Sequence, residues 1–259
     1  MSRFSFLGYC FFFIHVGIAQ PNGNALDSIK TIENLHFLAP LSSGNQLINH
    51  KEFSLSYNED AEQADWVFYK LTAASFSSDV ERSNDFREDP FVKSGSATLE
   101  DYHNSGYDRG HLAPAGSMKG DEASMSRSFF MSNISPQLPG FNRGVWKRLE
   151  EKIRFWAESM DSVFIVTGPI LDHPIDRIGA NQVLVPRAFF KTLLAFKKNK
   201  VAGIAFFLPH EASDRSLYAF ATSIDSIEGI TGIDFYVRLD PEVQDSIEKN
   251  KSVKAFLYN

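Results

Sequence analysis

Between Ser162 and Leu208 the chain commits itself to a sheet. Ser162 to Pro169 (SVFIVTGP) reads as a buried strand closed by Gly-Pro. Val183 to Val185 and Phe189 to Phe196 read as further strands, Lys197-Lys198-Asn199-Lys200 as a hairpin-like turn, and Val201 to Leu208 (VAGIAFFL) as another apolar strand. Short runs of branched and aromatic residues bounded by turn signals are the mark of strands. Asp65 to Leu71 (DWVFYKL) is a further run of the same kind. Helical patterning is interleaved irregularly with these strands. Val145, Leu149, Ile153 and Trp156 recur at helical spacing and predict a helix over 144–160. A helix is expected over 217–224, leading into 223–228 and stopping at Gly229 or Gly232. Another is expected over 241–249, with Asp240 as N-cap and Pro241 at its first position. Residues 121–133 predict a short helix running into a strand-like Phe129-Phe130-Met131, and 77–107 reads mostly as loop. Hairpins and irregular interleaving make the class α+β rather than doubly wound.

Composition supports a thick core. Aromatics are 14% of the chain, with 24 Phe against 8 Tyr and 3 Trp, and the 43% hydrophobic and 22% charged fractions argue against disorder, collagen and a small disulfide scaffold. At about 150 residues per domain, 259 residues make one or two domains. No composition break divides 53–259, which is expected to be a single domain, with the polar, Pro/Gly/Asn-rich stretch 20–52 as an extension or linker.

Residues 1–19 follow a different grammar. Arg3 is their only charge, a short apolar run follows, and Ala19 closes it, as in a secretory signal peptide. The run is short for a membrane span of about 20 residues, and His15 weakens a permanent anchor. Tyr9 is too bulky just before Cys10 for a lipid-attachment site. Cleavage after Ala19 removes the only cysteine, which suits an oxidising compartment. A secreted and a periplasmic destination are both consistent with this reading. The net charge of −6 excludes a uniformly basic nucleic-acid coat but leaves room for a local basic groove.

One segment departs from fold grammar: Tyr107-Asp108-Arg109-Gly110-His111-Leu112-Ala113-Pro114. An imidazole can act as a base near neutral pH. A guanidinium offers a planar fork to phosphate. Gly110 lets backbone or ligand approach closely. Ser132-Asn133-Ile134-Ser135-Pro136-Gln137 and Phe141-Asn142-Arg143-Gly144-Val145-Trp146 follow. Glu150 lies eight residues after Asn142, about 80° past two helical turns, so on a similar face. Asn and Glu oxygens are hard ligands suited to Mg²⁺. Asn142 is also a good N-cap, and the two roles are compatible.

These residues resemble the DNA/RNA non-specific endonuclease family, whose members include mitochondrial endonuclease G and secreted bacterial nucleases. The resemblance rests on Asp108-Arg109-Gly110-His111 and on the Asn133 and Asn142 segments. It extends to Arg82 with Asp85-Phe86-Arg87-Glu88-Asp89, to Val166-Thr167-Gly168-Pro169, to Val185-Pro186 with Phe189-Phe190-Lys191, and to Ile227 through Phe235. It implies the ββα-metal nuclease fold, a central mostly antiparallel or mixed sheet flanked by helices. It implies His111 as general base and Asn142 as direct ligand of one Mg²⁺ or Mn²⁺. Glu150 would hold metal-bound water, and Arg109 and Arg82 would steady the phosphate, with Arg87 as the competing candidate. Asn133 would be a supporting polar group near the metal, and Asp108 would orient Arg109 or the loop. The products would be oligonucleotides with 5′-phosphate ends. Arg143, Lys147 and Arg148, within a wider basic run, are candidates for sequence-independent contacts to DNA or RNA. Homodimers are common in the family.

Two other classes fit parts of the pattern. One is an inactive nucleic-acid-binding module, which predicts loss of His111 or Asn142; both are present. The other is a metal-dependent phosphodiesterase acting on small or lipid substrates, which predicts a closed pocket.

Overall fold

The computed structural model describes residues 35–41, 44–76, 78–198, 200–251 and 256. The expected leader lies outside them. Three strands open the sheet: β1 (Gln46–Asn49), β2 (Phe53–Asn58) and β3 (Gln63–Leu71). A one-turn helix α1 (Leu99–Tyr102) precedes β4 (Asp108–His111). Next come α2 (Glu122–Arg127), β5 (Ile134–Gln137), a π-helical turn (Phe141–Trp146) and α3 (Lys147–Ser159). β6 (Ser162–Ile170), β7 (Asp176–Ile178), β8 (Val183–Val185), β9 (Ala188–Lys197) and β10 (Lys200–Pro209) follow. β11 (Ala221–Thr222), α4 (Ile224–Thr231) and α5 (Pro241–Lys249) complete the order.

Seven strands form the central sheet in the order β1-β2-β3-β6-β9-β10-β11, with every pair antiparallel. The α+β class holds. Alternation along the strands sorts side chains to two faces. Val163 and Ile165 of β6 with Phe189 and Leu193 of β9 join one core, which α3 covers with Leu149, Ile153, Trp156 and Ala157. Phe164 and Val166 with Phe190 and Leu194 join a second core, covered by Ile224 and Ile227 of α4, Phe235, Tyr236, and Val243 and Ile247 of α5. Fully burying one such side chain contributes about 1.5–3 kcal/mol, so each helix is held mainly by its apolar stripe.

Three local expectations change. The sheet begins inside the segment expected to be an extension, because Gln46–Asn49 pairs with Ser54–Tyr57 as an edge strand. Phe129-Phe130-Met131 is no strand: Phe130 makes one bridge to Arg87, and Met131 opens a 3-10 turn. The helix expected over 217–224 is a 3-10 turn (Leu217–Phe220) and then β11, which pairs with β10. The helix that follows runs past Gly229 and stops at Gly232, whose positive φ of 68° caps it.

Candidate active site

β4 and β5 form a separate two-stranded ribbon, with Asp108 opposite Gln137 and His111 opposite Ile134. The chain then turns into α3, so strand, strand and helix make one ββα unit. Close packing needs Gly110: a Cβ there would lie 2.1 Å from Cδ of Gln137. The join between ribbon and helix is fastened at several points. Leu138 N donates to His210 Nε2 at 2.7 Å, and His210 Nδ1 is 2.8 Å from the Pro186 carbonyl. Trp146 Nε1 donates to the His111 carbonyl at 3.3 Å. The helix starts later than expected. Gly144 leaves helical geometry (φ −102°, ψ −109°), and regular α-helix begins at Lys147. Asn142 therefore sits in a π turn, with its N–H on the Leu138 carbonyl at 2.9 Å.

His111 packs against two phenyl rings, at 4.8 Å from Phe129 and 5.6 Å from Phe86, which meet each other edge to face at 4.9 Å. Each ring carries a guanidinium on it: Arg82 at 4.8 Å from Phe129, and Arg109 at 4.5 Å from Phe86. Arg109 and His111 share one face of β4 by alternation. The imidazole is buried and its Nε2 has no hydrogen-bond partner. Burial, then Arg82 and Arg109, push its pKa down to about 3, so it is neutral at physiological pH.

Arg87 is occupied elsewhere. It bonds Asp85 at 2.7 Å and Ser126 at 2.9 Å and lies over Phe130 at 4.3 Å. Of the two competing arginines, Arg82 is the one beside His111.

Of its two expected partners, Asp108 bonds the loop rather than Arg109. Its carboxylate accepts from Asn142 Nδ2 at 2.9 Å and takes Arg143 in a two-pronged pair at 2.8 and 2.6 Å. Arg143 and Asn142 lower its pKa against the effect of burial, which acts the other way and is the largest influence. With Asn142's amide nitrogen taken, its oxygen is the atom left for a cation. Asn133, expected as a supporting polar group, has its side-chain amide engaged by backbone. It accepts from Ala113 N at 2.9 Å and donates to the carbonyls of Ala113 at 2.9 Å and Ser128 at 2.8 Å. Its work is to fasten the chain just beyond His111.

Glu150 lies on α3 with Arg154 one turn on. Its Oε1 is buried without a partner, and burial pushes the carboxyl up to about 7 against the pull of Lys191, Arg154 and Arg82. Lys191 adds a group that the sequence motifs do not include. It is fully buried, donates to the Leu112 carbonyl at 3.2 Å and to Thr167 Oγ1 at 3.0 Å, and sits 4.0 Å from the Trp146 ring. Burial pushes it down to about 8, with Glu150 opposing. Its signal was available: it alternates with the core residues Phe189 and Leu193 on one face of β9. Gln137 is likewise buried, with neither amide atom partnered.

The basic run is less free than its sequence suggests. Arg148 bonds the carbonyls of Ser213 at 2.6 Å and Arg215 at 3.2 Å. Lys119 pairs with Asp79 at 3.1 Å, and Arg127 with Glu52 at 2.5 Å. Lys147 is exposed, with Glu151 3.8 Å away, and Arg143 is exposed beyond its pair with Asp108.

Residues 31–242 match the profile of the DNA/RNA non-specific endonuclease family. The chain belongs to that family. It is 34% identical to nuclease C1 of Cunninghamella echinulata var. echinulata over 215 residues, 76% of this chain and 85% of that one. It is 33% identical to the mitochondrial nuclease EXOG of Mus musculus over 239 residues, 85% of this chain but only 64% of that longer one. Its fold superposes on a chain of the crystal structure of the EndoG/EndoGI complex with a TM-score of 0.73 and 28% identity, covering 86% of this chain and 94% of that one. The ββα-metal fold and membership of a metal-dependent endonuclease family follow. The residues fit a divalent metal by chemistry: an amide oxygen at Asn142 and a buried, unpartnered Glu150 oxygen are both hard donors. Among the described residues no helix is long and apolar enough to cross a membrane.

Proposed function

We propose that the protein hydrolyses phosphodiester bonds of DNA and RNA without regard to sugar, with His111 as general base, and is exported after loss of residues 1–19. The observation that carries this reading is the neutral His111 ring, its Nε2 unpartnered, with Arg82 and Arg109 on the two phenyl rings that hold it. A ring nitrogen of the His111 imidazole takes a proton from water as the water oxygen bonds to phosphorus. The P–O3′ bond breaks, O3′ leaves and is protonated by solvent, and a 5′-phosphate remains. Arg82 and Arg109 pair with phosphate oxygens. Because these guanidiniums also depress the imidazole, pairing them with phosphate makes His111 a stronger base in the substrate complex than in the free enzyme.

Asn142 and Glu150 would hold one Mg²⁺ or Mn²⁺, Asn142 directly and Glu150 through water. Bound there, the ion supplies positive charge to the phosphoryl and leaving oxygens, worth several kcal/mol. A positioned base contributes about 10²–10⁴-fold, so base and charge are both required. Arg143 and Lys147 are left for salt-sensitive phosphate contacts. Arg148 is a tether instead.

Plasmid DNA and total RNA are incubated with residues 20–259, with Mg²⁺ or with chelator, beside a small chromogenic phosphodiester. Degradation of both polymers to 5′-phosphate ends, abolished by chelator, is the expected result. Cleavage of the small ester alone would move the protein to the small-substrate class. Export is checked by N-terminal sequencing of the protein recovered outside the cytoplasm. Gln20 at the new terminus is expected, and a chain still beginning at Met1 would contradict it.

A further inference from the structure

On the sheet face opposite the ββα unit, α4 and α5 meet above β10. Gly203 makes the meeting possible: a Cβ there would lie 2.7 Å from the Ile247 carbonyl and 2.9 Å from Cδ1 of Ile224. Three carboxylates converge at this junction. Asp225 and Glu228 stand one turn apart on α4, and Glu248 comes from the last turn of α5; one carboxylate oxygen from each lies within 4.8 Å of the others. Glu248 is 5% exposed, and its Oε1 is buried with no hydrogen-bond partner. Among the described residues, no ion pair reaches any of the three. The neighbouring Lys249 turns to Asp245 at 2.5 Å, Gln244 donates to Asp234 and to the Phe235 carbonyl and also acts on Glu248, and one Glu228 oxygen accepts from Phe235 N at 2.8 Å, which leaves its other oxygen for a cation.

Burial and the neighbouring carboxylates push the Glu248 carboxyl up to about 8, so without a cation it keeps its proton near neutral pH, and its buried oxygen still lacks a partner. A cation held by all three carboxylates would displace that proton and satisfy the oxygen. Oxygens around a single Ca²⁺, each at about 2.3–2.6 Å, are at most about 5 Å apart, which the spacing here satisfies. The donors are all oxygen, which suits a hard cation and excludes soft metals that seek thiolate or imidazole. We propose that Asp225, Glu228 and Glu248 form a second divalent-cation site, for calcium, which clips α4 to α5 and stabilises the fold away from the nuclease centre.

The test uses chelator-stripped protein. Bound calcium is counted by equilibrium dialysis, and Tm is read with and without about 10 mM CaCl₂, a concentration chosen for an extracellular-type site. The variants are Asp225→Asn with Glu248→Gln at the proposed site and, separately, Asn142→Ala at the nuclease centre. The expected result is one calcium per chain and a Tm rise of about 3 °C or more, both kept in Asn142→Ala and both lost in Asp225→Asn/Glu248→Gln. Calcium retained by the double variant but lost from Asn142→Ala would place the ion at the nuclease centre and overturn the proposal. So would the absence of bound calcium in the unaltered chain. The double variant removes like-charge repulsion without changing shape, so it is expected to fold and to melt no lower than the calcium-free parent.

Discussion

The two faces of the central sheet are built from alternate residues of the same strands, yet their buried polar groups have opposite fates. On β9, Thr192 faces α4 and α5, and its hydroxyl is matched to Tyr236 OH at 3.1 Å within an apolar layer. Lys191, one residue earlier, faces α3 and carries a buried charge toward Glu150. On the α3 face His111 Nε2, Glu150 Oε1 and both amide atoms of Gln137 are buried and unpartnered. A folded chain leaves few such groups; Tyr102 OH and Trp156 Nε1 are two more, and on the proposed reading those of His111, Glu150 and Gln137 are kept for a substrate and its metal. The opposite face is closed, except where Asp225, Glu228 and Glu248 meet at its rim.

If the faces divide stability from chemistry, changes on them must separate in the same way. Phe235 is fully buried 5.7 Å from Phe190 on the closed face. Phe235→Ala should cost about 3–5 kcal/mol of stability, read as a fall in the urea midpoint, with the turnover of the folded fraction unchanged. A loss of turnover without loss of stability would break the comparison. Asp108→Ala should act in the reverse sense. It frees the Asn142 amide and Arg143, so metal affinity should fall about tenfold to a hundredfold, measured as the Mg²⁺ concentration for half-maximal cleavage, with only a small change in Tm.

A titration distinguishes the faces as well. His111 is held well below its ordinary pKa of 6.5, at about 3. Across that window the unfolded chain binds a proton that the folded chain does not, so stability falls as pH drops, by about 1.4 kcal/mol per unit at most. Glu150, raised from 4.5 to about 7, has the opposite sign: its folded form binds the extra proton, and its contribution is lost as pH rises toward 7. Subtracting the stability of His111→Asn from that of the parent at each pH isolates the first effect. A flat difference between pH 6 and 4 would contradict the burial argument. The smallest expected effects come from the neighbours on β9. Lys191→Met should raise the Glu150 carboxyl further from about 7 and move the acid limb of the pH–rate profile upward, costing about fivefold at pH 7 if the limb shifts by one unit. Thr192→Val should cost about 1 kcal/mol of stability and leave that profile in place.

Much of this division was legible in the sequence. Near-continuous apolar runs marked β6, β9 and β10 because each is buried on both faces. The stripe of Leu149, Ile153 and Trp156 marked α3. Asp240-Pro241 marked the start of α5, and the ordered Asp108-Arg109-Gly110-His111 and Asn142 segments marked the site. Other features were set by tertiary contact. Gln46–Asn49 is too short and polar to signal a strand, and becomes one only by pairing with β2. Arg87 and Arg82 differ by their neighbours: Asp85 and Ser126 claim one, Phe129 the other. Asn133 and Arg148 carry the right chemistry for a site, and backbone carbonyls absorb it. A lysine in a strand reads as solvated, and only the place of Lys191 between Phe189 and Leu193 on one strand face signals its burial.

The central claim is that His111 is the base on a face whose polar atoms are kept for chemistry. It is tested most directly by the rate of DNA cleavage by His111→Ala beside the parent, at saturating Mg²⁺, with Tm and Mg²⁺ affinity measured on the same samples. The account predicts a loss of about 10²–10⁴-fold, with folding and Mg²⁺ affinity retained. A folded, Mg²⁺-binding His111→Ala that cleaves DNA at the parent rate would contradict it.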